Sequence, residues 1–157
     1  VTVAALSETE QAVLPAIDGV KLKALIEGQK GKVVVLAAWS ATDAASTTLY
    51  PKLAQLAAPE AKAGPVVIAV NVDGLSDARA KALPLVTAHK GATVNHALVG
   101  GTMELMGLVD IAWGGKPPAL WLYDHEGKQA EERFEGADAA EKAAETLKKL
   151  VKAAGRR

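Results

Sequence analysis

Apolar and polar positions along the chain change period several times, and each change marks an element. Val33 to Ala38 is an unbroken apolar run rich in β-branched residues, preceded by Gly31 and Lys32 and closed by Trp39. A run of that length and composition predicts a strand buried on both faces, as in a central parallel sheet. Ser40, Ala41, Thr42 and Asp43 follow as a capping signal, so Thr42 or Asp43 is expected to start a helix. Leu49, Leu53 and Leu56 then recur three or four residues apart. Pro51 within that stretch removes a backbone hydrogen bond and predicts a bend about two turns in.

The same reading carries along the rest of the chain. Asp18 to Gly28, with Val20, Leu22, Leu25 and Ile26 among lysines, predicts a short amphipathic helix. Val66 to Val72 (VVIAVNV) predicts a second buried strand, ending at Asp73-Gly74. Ser76 or Asp77 would then cap a helix reaching about His89, with Ala80, Leu83, Val86 and Thr87 on one face despite Pro84. Thr102 to Leu108 is expected to be a further short helix. Ala119 to Tyr123 and Lys128 to Phe134 flank the turn cluster Asp124 to Gly127 and read as a hairpin. The last helix, Asp138 to Ala154, would bury a stripe of Ala140, Ala144, Leu147, Leu150 and Val151. Strands alternating with helices imply parallel strands joined by right-handed crossovers, an α/β domain. Residues 1–12 form a weakly patterned arm in which Ser7 and Glu10 have capping-box spacing, and residues 13–157 form the domain.

Composition narrows the chemistry. The 157 residues hold no cysteine, which excludes disulfides, thiolate metal sites and thiol redox chemistry together. Lys plus Arg and Asp plus Glu number 18 each, so the net charge of zero gives no reason to expect nucleic acid or an anionic membrane. No apolar run reaches the roughly 18 residues of a transmembrane segment. The chain begins at Val1 rather than methionine, as it would after removal or trimming of a leader.

Two segments in order carry a family resemblance. Trp39, Thr42, Asp43, Ser46 and Pro51 fall where Trp-x-x-Trp-Cys-x-x-Cys and a helix proline stand in the thioredoxin-like superfamily, and in particular its membrane-anchored or periplasmic TlpA type. Lys116 to Asp124 (KPPALWLYD) and then His125-Glu126-Gly127-Lys128 resemble that family's cis-proline loop, strand and hairpin. The resemblance covers about residues 13 to 154. It implies a three-layer sandwich with a mixed central sheet and helices on both faces, with Thr93 to Leu98 at the edge of the parallel part. It places Asp43 and Ser46 at the two cysteine positions and Pro118 at the cis-proline, and it implies a periplasmic or cell-envelope location. Val109 to Lys116 (VDIAWGGK) is longer and richer in glycine than the corresponding family segment.

What remains for the site is binding. Asp43 reads as an N-cap and Ser46 as a small residue one turn into the helix. A hydrolytic role for Ser46 needs a histidine base, and His89, His96 and His125 are all distant in sequence. Trp39 and Trp113, read as exposed aromatics, would join Thr42, Pro117 and Pro118 to form a groove for extended peptides, which works by backbone pairing without sulfur. The expectation is a redox-inactive binding or scaffolding module for a protein or peptide partner, without cofactor. Two alternatives are an oxidoreductase whose cysteines were substituted at Asp43 and Ser46, and a metal-handling protein using His96, Met103 and Met106.

Overall fold

The computed structural model describes residues 13–74, 80–89 and 93–155; the arm 1–12 and the capping candidates Ser76 and Asp77 lie outside the described residues. Six strands among the described residues form one sheet: β1 (Ala16–Ile17), β2 (Val34–Trp39), β3 (Val66–Asn71), β4 (Thr93–Leu98), β5 (Ala119–Tyr123) and β6 (Gln129–Glu135). Their spatial order is β1-β4-β3-β2-β5-β6. The first four are parallel to their neighbours, whereas β5 runs antiparallel to both β2 and β6. Among the described residues five helices accompany them: α1 (Gly19–Glu27), α2 (Ala44–Leu56), α3 (Ala82–His89), α4 (Gly101–Val109) and α5 (Ala139–Ala154).

Alternation along the central strands sorts their side chains into two cores. Val35, Ala37 and Trp39 of β2, Val67 and Ala69 of β3, and Leu120 and Leu122 of β5 face α2, α3 and α5. Val34, Leu36, Ala38, Ile68, Val70 and Trp121 face Leu22 and Ile26 of α1 and Leu105 of α4 on the other side. Each large aliphatic side chain withdrawn from water in this way contributes about 1.5–3 kcal/mol. Both faces are covered, which is why β2 and β3 read as continuous apolar runs rather than alternating ones.

Several sequence expectations shift in detail. Thr93–Leu98 is not an edge: the two-residue β1 lies beyond it, pairing Ala16 with Ala97 and Ile17 with Leu98, and this very short strand blunts the sheet edge. Val20 is 81% exposed, so α1 packs through Leu22 and Ile26, with half-buried Leu25 against the same core. In α3 the buried positions are Ala82 and Val86; Thr87 is exposed, as is Ala80 before the helix begins. In α5 Ala140 and Leu147 of the expected stripe are buried, together with Ala139, Ala143 and Ala154, whereas Ala144, Leu150 and Val151 are half-buried. Pro51 stays inside α2, where it has no N–H to offer the Thr47 carbonyl.

Candidate functional site at the start of helix α2

The carboxyl ends of β2 and β3 converge on the turn that opens α2. Asp43 has extended backbone (φ −107°, ψ 123°), and its Oδ2 accepts the Ser46 amide at 2.8 Å, the hydrogen bond of an N-cap. Ser46 is fully buried one turn in, and its hydroxyl has no protein hydrogen-bond partner. The same holds for Trp39 Nε1. Thr42 beside them is exposed.

A polar network fixes this turn from below. In the parallel register Trp39 lies beside Asn71, and this brings Ser40 to Asp73 across 33 residues of sequence. Asp73 accepts from the Ser40 hydroxyl at 2.5 Å, from the Ala41 amide at 2.9 Å and from Asn71 Nδ2 at 2.9 Å. Ser40 Oγ lies 3.0 Å from Thr42 Oγ1. Asn71 is fully buried and Ser40 nearly so, so Asp73 satisfies donors that water does not reach. Sequence reading took Asp73-Gly74 only as a strand end; the one usable signal was a polar Asn71 inside a buried apolar strand.

Beneath the turn, the Trp39 and Tyr50 rings stack with centroids 4.2 Å apart, and the Tyr50 hydroxyl donates to Asn95 Oδ1 at 2.6 Å. Burial pushes the Tyr50 hydroxyl well above its ordinary range, so it is a fixed donor that ties α2 to β4. The His89 ring meets Tyr50 edge-on at 6.4 Å.

The proline loop closes the other side. The Pro117–Pro118 peptide is cis, and Pro118 is buried immediately before Ala119, which pairs with Ala38. Pro118 therefore sits at the same end of the sheet as the α2 N-terminus. Asp110 anchors the preceding loop: it accepts from Trp121 Nε1 at 3.0 Å, from Arg133 at 2.5 Å and from the Ala112 amide at 3.1 Å. Burial pushes the Asp110 carboxyl up, but the hydrogen bonds from Trp121 and Arg133 and the guanidinium charge outweigh it and hold the group below its ordinary value.

The predicted site residues are thus only partly brought together. Asp43, Ser46, Thr42 and Trp39 cluster at the opening of α2, and Pro118 borders them with half-buried Pro117 alongside. Trp113 does not join them. It is 1% exposed, packs edge-on against Trp121 at 5.1 Å and belongs to the core on the opposite face of the sheet from Trp39. Trp39 is wholly buried as well, so the expected pair of exposed aromatics is replaced by two core residues. Sequence alone did not distinguish them, because a tryptophan in a glycine-rich loop satisfies its N–H locally, here on the Lys116 carbonyl at 3.2 Å. In the set proposed for metal handling, Met103 is 79% exposed, Met106 packs against the core that holds Trp113, and His96 Nδ1 lies 3.2 Å from the Pro15 carbonyl. Among the described residues no group of three His, Cys, Asp or Glu is placed to hold a metal ion, and no helix is long and apolar enough to cross a membrane.

No protein-family model matches the sequence, and no curated protein matches it. Solved structures do. The exposed lipoprotein thioredoxin of Streptococcus pneumoniae is 21% identical, with 80% of this chain and 90% of that one covered and a TM-score of 0.57. A secreted thiol-disulfide isomerase from Corynebacterium glutamicum is 20% identical over 78% of this chain and 72% of its own, with a TM-score of 0.62. A second thiol-disulfide isomerase from that organism is 18% identical over 80% and 84%, with a TM-score of 0.59. These likenesses establish the fold. The chain has a thioredoxin-like fold and contains no cysteine.

Proposed function

We propose that this is a redox-inactive, TlpA-like domain of the cell envelope that binds an extended protein or peptide segment at the opening of α2. The carrying observation is the pair Asp43 and Ser46: one is seated as the helix cap and the other is buried beneath it, in a chain without cysteine. In a thiol enzyme the helix N-terminus stabilises an attacking thiolate. Here the Ser46 amide is taken by a carboxyl oxygen that has no route to a mixed disulfide, so attraction for backbone and side chains of a partner is what the turn retains. Exposed Thr42 and half-buried Pro117 are the accessible contacts. The secreted and surface-exposed relatives in the fold support the envelope location.

A test uses an unfolded, cysteine-blocked polypeptide as probe. Saturable binding with amide shifts centred on Thr42 and Asp43, weakened severalfold by Thr42→Arg, supports the reading. Absence of binding, or binding indifferent to Thr42→Arg, overturns it. A second reading has one specific observation in its favour. The buried, unpartnered Ser46 hydroxyl is what replacement of a cysteine by serine leaves behind, whereas Asp43 is fully integrated as a cap. The coding sequence at these two positions separates the two.

A further inference from the structure

A groove opens between α2 and α5 at the end of α2 remote from the site, about 20 Å along the helix from Asp43 at 1.5 Å per residue. The two helices are clasped where Lys52 Nζ meets Glu141 Oε2 at 3.1 Å and also donates to the Ala137 carbonyl. Beyond that clasp, at the small Ala144, the two helices and Pro65 line an open groove of about 390 Å³. Leu56, Pro65, Leu147 and Val151 form its floor, and Lys148 and Lys152 stand on its rim. Ala144 and Val151 belong to the stripe that the sequence pattern assigned to the core, yet both remain half-buried here. Neither rim lysine forms an ion pair among the described residues, and the lining contains no acidic side chain.

We propose that this groove binds a small anionic amphiphile, with an alkyl chain against Leu56, Leu147 and Val151 and a carboxylate between Lys148 and Lys152. Charge and size both select this occupant. An aliphatic floor under two ammonium groups four residues apart complements an apolar tail with one negative head. The groove's volume lies at the low end of the roughly 300–1,000 Å³ of small-molecule sites, whereas a stable protein partner requires about 800 Å² of surface from each side. The inference is independent of the reading given for the opening of α2.

Decanoate and decyltrimethylammonium, each below its micellar concentration, are the probes, followed by methyl resonances of Leu56, Leu147 and Val151. Decanoate should saturate these shifts and the cationic analogue should bind about three- to tenfold more weakly, as two exposed charge pairs allow. The double variant Lys148→Glu, Lys152→Glu should reverse that preference; both lysines are solvent-exposed, so folding is retained. Ala144→Trp, which fills the groove, should abolish binding of both probes. Equal affinity for the two probes, an unchanged preference in the charge-reversed variant, or shifts centred on another part of the molecule would overturn the proposal. Saturation only by an acidic helical peptide, with no response to decanoate, would overturn it too and assign the groove to a protein partner.

Discussion

Asp43 and Ser46 occupy adjacent turns of one helix start and carry opposite balances of polar satisfaction. The Asp43 side chain has its partner, so Asp43→Ala should lower stability by about 0.5–2 kcal/mol, read from the urea midpoint. Ser46 is buried with a hydroxyl that no protein group meets. Ser46→Ala removes that uncompensated group and should be neutral or stabilising by up to about 1 kcal/mol; a loss exceeding 1 kcal/mol would show that the hydroxyl has a role. Asp73 sits at the other extreme. Asp73→Ala strands the Asn71 amide group and leaves the Ser40 hydroxyl with Thr42 Oγ1 as its remaining side-chain partner, and should cost about 1–3 kcal/mol while speeding exchange of the Ala41 amide. The cap at Asp43 was legible from residue type and spacing. Asp73 was not, because its partners are 2, 32 and 33 residues away and only the parallel register brings them together.

At the scale of elements, legibility followed burial symmetry. β2 and β3 are covered on both faces, and their continuous apolar runs identify them within a residue or so. Helix faces were harder. Alanine is a weak marker of the inner face: on α5 Ala140 and Leu147 are buried as the pattern predicts, but Ala139 and Ala143 fill the rest of the buried face where the pattern points to Ala144. Trp113 was misassigned to the surface for a related reason: its loop closes over α4 and hides a residue that nothing in its neighbours marks as buried. Within α4 itself, Gly107 is exposed, and a Cβ built there meets nothing within 4 Å. Gly107→Ala should therefore raise stability by about 0.5–1 kcal/mol, the difference in helix propensity, as measured by denaturant unfolding. No gain would mean that the helix backbone at this position departs from ordinary helical geometry.

For the whole molecule, zero net charge leaves acid stability to individual groups. The Asp110 carboxyl lies below its ordinary value in the folded state, so its contribution is complete above the unfolded value of about 3.9 and is lost as pH falls toward the folded one. Asp110→Asn should cost about 1.5–3 kcal/mol near neutrality and flatten the stability profile below pH ~4. His96 acts in a higher window. Burial lowers its pKa and outweighs the opposing hydrogen bond to Pro15, so the unfolded chain takes up its proton first and stability declines below about pH 6.5.

The sheet order, the covered faces and the placement of Pro118 beside the start of α2 form a thioredoxin-like scaffold whose sulfur chemistry is absent. Restoring that chemistry tests the central claim most directly. The double variant Asp43→Cys, Ser46→Cys puts one thiol at the helix N-terminus, where its pKa falls below about 8.5, and the other in a fully buried position that already accepts a small polar atom. The double variant should reduce a model protein disulfide at a measurable rate while the parent chain shows none. A double variant that folds normally, carries two free thiols and reduces nothing would contradict the claim that only the sulfur atoms are missing.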